Sequence, residues 1–197
     1  PDLPRDDESA RVPARDRCDD LVVPYRLADS RAICTDLRTK GKRMTTLTLP
    51  SDRELIFTHV FDAPRSLVFE VMYDPKHIPN WWGPRRLRTV IDAMDFRPGG
   101  KWRFLQYDTD GTLHAFRGEY LAIEAPERVT ATFEYEPWPG KISTLTQTLT
   151  EEGGRTTVTS HQVFSTPQER NAMVSTGAQA GYTESMERLA ELLEQQR

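Results

Sequence analysis

From about residue 52 onward, apolar and polar positions alternate in an orderly way. Glu54-Leu55-Ile56-Phe57-Thr58-His59-Val60-Phe61 is rich in β-branched and aromatic residues and predicts a strand. Asp62-Ala63-Pro64 predicts a helix start, because a proline in the first turn lacks only an N–H that would be unpaired anyway. Leu67, Val68, Val71 and Met72 then recur at helical spacing, and Asp74-Pro75 ends that helix. A second short helix is expected through Lys76 to Asn80, closed by Trp81-Trp82-Gly83-Pro84.

A run of strands is predicted next, over Leu87 to Phe96, Lys101 to Tyr107, Leu113 to Ile123, Arg128 to Tyr135, Lys141 to Thr150 and Thr156 to Phe164. Tight turns such as Arg97-Pro98-Gly99-Gly100 and Asp108-Thr109-Asp110-Gly111 separate them, so the strands are antiparallel neighbours. Alternation sets Trp102, Phe104 and Gln106 against Arg103, Leu105 and Tyr107, and puts Val129, Ala131, Phe133 and Tyr135 on one face. The chain closes on a helical pattern. Thr166 reads as its N-cap, Pro167 as its first residue, and Tyr182, Met186, Leu189, Leu192 and Leu193 as its apolar stripe. No proline interrupts residues 168–197, so one long helix is expected, with Gly177 and Gly181 as places where it can bend. The fold class is α+β: a curved antiparallel sheet of six or seven strands around a long C-terminal helix, with two short helices after the first strand. The space between such a sheet and helix is a natural ligand cavity.

Composition divides the chain unevenly. It has 197 residues and a net charge of -4. Residues 1–43 hold ten Lys/Arg and nine Asp/Glu, no Trp or Phe, and both cysteines, Cys18 and Cys34. Such a segment cannot offset its ordering entropy, so it is expected to be disordered apart from a short helix near residues 29–38. Met44 is the first methionine, which leaves open a non-native extension; an Arg-rich binding arm is a third reading, weakened by the nearly equal acidic content. The domain itself is expected over residues 52–195. No apolar run approaches the roughly 18–20 residues of a membrane span, and no signal peptide is seen, so a cytoplasmic protein that binds neither membrane nor nucleic acid is expected.

The ordered motifs carry a resemblance. Phe61-Asp62-Ala63-Pro64, Trp81-Trp82-Gly83-Pro84, Arg97-Pro98-Gly99-Gly100-Lys101-Trp102-Arg103-Phe104, Phe116-Arg117-Gly118-Glu119-Tyr120, Pro126-Glu127-Arg128 and the terminal Gly181-Tyr182 with Leu189 to Leu193 occur in that sequence. Together they resemble the START-like, or SRPBCC, superfamily with its helix-grip, Bet v 1-like fold. The similarity is closer to the branch of the activator of heat-shock protein 90 ATPase homologue. The resemblance implies binding of a hydrophobic small molecule, with lipid or polyketide ligands and stress-linked roles in relatives. The helix often shows Trp where this chain has Tyr182, which keeps an aromatic wall and adds a hydroxyl that needs a partner.

Candidate chemistry is mostly aromatic. Trp82, Trp102, Phe104, Phe133, Met173 and Tyr182 are the expected lining of a pocket for an apolar or aromatic ligand. The adjacent indoles of Trp81 and Trp82 cannot face one way, so they serve either as a plug docking the short helices or as a gate at the pocket mouth. His59, His77, His114 and His161 show no metal-ligand spacing, and neither a metal nor any other cofactor is expected. Glu119, Asp92 and Arg117 are open between inward and outward positions. No nucleophile elbow, P-loop or dinucleotide motif is present in the sequence. No catalytic residue is therefore assigned. A ligand-binding protein is the leading reading, ahead of a polyketide cyclase-like enzyme on a cyclic or aromatic substrate and a chaperone ATPase-regulating module. Monomer and homodimer are both open.

Overall fold

The computed structural model describes residues 45–196, so the expectations for residues 1–43 lie outside the described residues. Period-two alternation builds one sheet of eight strands: β1 (Thr46–Thr48), β2 (Glu54–Phe61), β3 (Arg88–Met94), β4 (Lys101–Tyr107), β5 (Leu113–Glu124), β6 (Arg128–Tyr135), β7 (Ile142–Glu152) and β8 (Arg155–Val163). Their order is β1-β2-β8-β7-β6-β5-β4-β3, with every neighbour antiparallel. The sheet thus exceeds the expected six or seven strands by including β1, which sets Leu47 opposite Phe57. Three residues are too few to show a period, so the sheet begins ahead of residue 52 without a sequence signal.

Four helices cover one face: α1 (Arg65–Tyr73), α2 (Ile78–Trp81), α3 (Pro167–Ser175) and α4 (Ala178–Gln195). The second helix starts later than expected because the Asp74 carboxylate and carbonyl first accept the Lys76 and His77 N–H groups, both at 2.9 Å. The single C-terminal helix expected over 168–197 is two helices. Thr166 caps α3 as expected, its hydroxyl accepting from the Glu169 N–H at 3.3 Å, with Pro167 first in line. Gly177 then adopts φ +80°, a left-handed conformation that ends one helix and lets the next begin at Ala178.

The apolar stripe of α4 sets the core. Met186, Leu189, Ala190 and Leu193 are buried with Phe61, Leu149 and Val158 of the sheet and Val68, Val71 and Met72 of α1. A second cluster joins Ile78 to Trp102, Phe104, Tyr120, Val129 and Ala131. In contrast, α3 buries no residue.

Candidate functional site

Trp81-Trp82-Gly83-Pro84 links the two clusters, and its neighbouring indoles separate. Trp81 is 5% exposed and its Nε1 donates to the Val71 carbonyl at 3.2 Å, so it docks α2 on α1. Trp82 is half-buried and meets Phe104 and Phe116 edge-on, at centroid distances of 5.2 and 5.0 Å. Its carbonyl accepts from Thr89 Oγ1 at 2.6 Å and Gln106 Nε2 at 3.3 Å. Gly83 follows at φ +92°, where a Cβ would overlap the Gln106 amide. The segment is fastened to α4: the Gly83 N–H donates to Ser185 Oγ at 2.9 Å and its carbonyl accepts from Arg188 Nη1 at 2.6 Å. Arg85 adds a two-pronged ion pair with Glu191.

Under this roof lies a cavity of about 280 Å³ between the sheet and α4. Trp82, Phe116, Phe133, Leu55, Leu145 and Met186 supply apolar walls, and among the described residues no Asp, Glu, Lys, Arg or His borders it. The sheet register brings two rows together on its floor. Ser160 stands between Phe57 and Gln147, and Gln162 stands between Leu55 and Leu145.

The polar groups form two chains. In the first, Tyr73 donates to Gln147 Oε1 at 2.8 Å, Gln147 Nε2 donates to Ser160 Oγ at 3.3 Å, and Ser160 shares a hydrogen bond with Tyr182 at 2.9 Å. In the second, Gln162 Nε2 donates to Ser143 Oγ at 2.7 Å, which donates to the Phe133 carbonyl at 3.1 Å. The Tyr182 ring stacks on Phe57 at 4.3 Å. Burial pushes its phenol up to about 12, so Tyr182 keeps its proton at neutral pH.

The six expected lining residues divide between two spaces. Trp82, Phe133, Met173 and Tyr182 border the 280 Å³ cavity. Trp102 and Phe104 do not; they border an adjoining space of about 70 Å³ that also touches Trp82 and Phe133. The reason is position along β4, where only Gln106 reaches the larger cavity. Trp102 Nε1 is buried without a hydrogen-bond partner among the described residues. A third space of about 400 Å³ lies between the loop around Trp138 and α3, and it shares Phe133 and Met173 with the main cavity. The Lys141–Glu169 ion pair at 3.4 Å ties that loop to α3.

Ser160, Gln147, Gln162 and Gln106 are absent from the sequence-derived site. For Gln106 the alternation of β4, which groups it with Trp102 and Phe104, is a signal. For Ser160 and Gln162 the alternation of β8 is polar on both faces, with Thr156, Ser160 and Gln162 inward and Thr157, Thr159 and His161 outward.

The other candidates sit elsewhere. His161 pairs with Glu54 at 3.0 Å, His114 Nδ1 meets the Tyr135 hydroxyl at 2.7 Å, and buried His59 meets Thr45 Oγ1 at 2.9 Å. Asp92 and Arg117 belong to a ladder of ion pairs outside the cavity, where Arg103 bridges Asp92 and Glu136 while Arg117 holds Glu134 at 2.7 Å. Glu119 likewise lines an outer groove with Arg103 and Arg117. Among the described residues no group of three or more His, Cys, Asp or Glu could hold a metal ion, and no helix is long and apolar enough to cross a membrane.

Residues 62–194 match the family model described as activator of Hsp90 ATPase homolog 1-like protein. The chain belongs to this family. Solved structures agree on the fold. A Rhodobacter sphaeroides protein superposes with a TM-score of 0.72 at 20% identity, covering 77% of this chain and 99% of the other. An Arthrobacter aurescens protein gives 0.70 at 22% identity, covering 76% and 91%. Protein Ms6760 from Mycobacterium smegmatis gives 0.69 at 23%, covering 78% and 100%. Among curated proteins, none matches the chain. The AHSA1-like domain thus has the helix-grip architecture of the SRPBCC superfamily: an eight-stranded antiparallel sheet packed on a long C-terminal helix.

Proposed function

We propose that this AHSA1-like domain binds a hydrophobic or aromatic small molecule in the cavity between the sheet and α4. The observation that carries this reading is a space of about 280 Å³ whose walls are mostly aromatic and aliphatic and which no charged side chain of the described residues borders. That volume lies just below the range for drug-sized ligands, about 300–1,000 Å³. It suits one or two fused rings rather than a long acyl chain. The access route on this reading runs past Met173, where the main cavity meets the 400 Å³ space beneath α3. An unbranched methionine on a helix with no fully buried residue is suited to yield there.

N-Phenylnaphthylamine, a neutral dye that brightens in apolar surroundings, tests the reading. It should bind saturably, and Leu145→Trp, which puts an indole into the cavity, should abolish the signal while the protein stays folded. Unchanged dye binding by a folded Leu145→Trp protein would sink the proposal. A second reading, an enzyme acting on a cyclic substrate in the same cavity, draws on the convergence of Tyr182, Ser160 and Gln162. Tyr182, protonated at neutral pH, would there donate to a developing oxyanion.

A further inference from the structure

The polar chain at the cavity floor ends on a hydroxyl proton that no described acceptor takes. Gln147 Oε1 is occupied by the Tyr73 hydroxyl, and Gln147 Nε2 donates onward to Ser160. Two hydroxyl protons then remain, on Ser160 and on Tyr182, with a single hydrogen bond between the two oxygens to absorb one of them. Whichever oxygen donates, the other keeps a proton with no acceptor among the described residues. Both residues border the cavity. Beside them, Gln162 spends its Nε2 on Ser143, and its Oε1 accepts no hydrogen bond from the described residues. Ser160 and Gln162 are two residues apart on the inward face of β8, which sets their Cα atoms about 7 Å apart along the strand.

The lining sets the remaining conditions. A buried polar group that stays unpaired is unfavourable, so a ligand supplying the missing partners gains over one that is only apolar. A charged ligand would lose its hydration in a cavity with no counter-charge. Resting on the binding reading above, we infer that the ligand is a neutral ring compound with a hydrogen-bond acceptor, of the ketone kind, that takes the surplus proton of the Ser160–Tyr182 pair. On its opposite side it carries a donor that meets Gln162 Oε1.

Calorimetric titration of the full chain with one ring skeleton tests this. The probes are tetralin, α-tetralone, the α-tetralone with a hydroxyl para to its carbonyl, and tetralin carboxylate. Affinity should rise about two- to tenfold from tetralin to α-tetralone, and by a similar factor on adding the hydroxyl. The carboxylate should bind more weakly than tetralin. Ser160→Ala combined with Tyr182→Phe should cancel the first gain, since either hydroxyl alone still carries an unaccepted proton, and Gln162→Met should cancel the second. A cooperative melt followed by circular dichroism shows that each variant is folded. If tetralin binds and the ketone binds no better, or if the folded Ser160→Ala, Tyr182→Phe double variant keeps the ketone's gain, the inference is wrong while the cavity reading stands. Failure of all the neutral probes to bind the folded wild-type chain would overturn the cavity reading and this inference with it.

Discussion

Replacing Trp81 and Trp82 separately by Ala should produce two different defects. Trp81 is 5% exposed, packs in the core with Val71 and Leu189, and donates its indole proton to the Val71 carbonyl. Truncating such a residue costs about 3–5 kcal/mol. In a folded unit of roughly 150 residues, each kcal/mol moves the melting temperature about 2–4 °C, so Trp81→Ala should lower it by about 6–20 °C. Trp82 is half-buried, and its main contacts are the two edge-on rings of Phe104 and Phe116. At about 0.5–1.5 kcal/mol each, these contribute about 1–3 kcal/mol, and the expected loss is about 2–12 °C. Trp82 also borders both the 280 and the 70 Å³ spaces, so its removal joins them and strips one aromatic wall from a bound ligand. Affinity for N-phenylnaphthylamine should then fall about two- to tenfold in Trp82→Ala. Differential scanning fluorimetry and dye titration on the same preparations read the two effects side by side. The reasoning is refuted if Trp82→Ala melts as low as Trp81→Ala and binds the dye like wild type.

Other consequences follow from the ion pairs and caps. Arg117, hydrogen-bonded to Glu134, holds that carboxyl below the usual glutamate range, helped by the Gly140 N–H. The folded state therefore binds fewer protons than the unfolded chain. This stabilisation is complete above the ordinary glutamate range and is lost as pH falls through the lower native pKa. Glu134→Gln should flatten the acid side of the melting-temperature profile, and an unchanged slope would count against the assignment. Gly83→Ala should destabilise by more than about 1 kcal/mol in urea titration, since alanine is strained at φ +92° and its Cβ would displace Gln106. Thr166→Ala removes the cap of a helix with no fully buried residue, so amide exchange over residues 167–175 should accelerate with little change in global melting.

Much of this architecture was legible in the sequence because its signals are local and periodic. The alternation of β4 and β6 sorted inward from outward residues, Thr166-Pro167 marked a helix start, and the spacing of Met186, Leu189 and Leu193 marked the face that α4 buries. Two features escaped for physical reasons. β1 has three residues and is held by pairing with β2 rather than by its own pattern. The helix break at Gly177 is a backbone choice that glycine permits but does not impose. The site was legible in its apolar half only. Aromatic residues announce a buried face, whereas Ser160, Gln147 and Gln162 lie on strands polar on both sides, and only the register of β2, β8 and β7 brings them under Tyr182. Alternation puts Trp102 and Phe104 on the inward face of β4, yet they sit further along it than the main cavity extends.

The most direct test of the central claim is the position of a bound neutral ligand. Methyl-labelled protein, titrated with tetralin or α-tetralone, should show intermolecular nuclear Overhauser effects to the Leu55, Leu145, Met173 and Met186 methyls, all of which border the cavity. Saturable binding whose contacts fall instead on outward methyls such as those of Leu113, Leu121 or Val163, with the cavity methyls unmoved, would contradict the account.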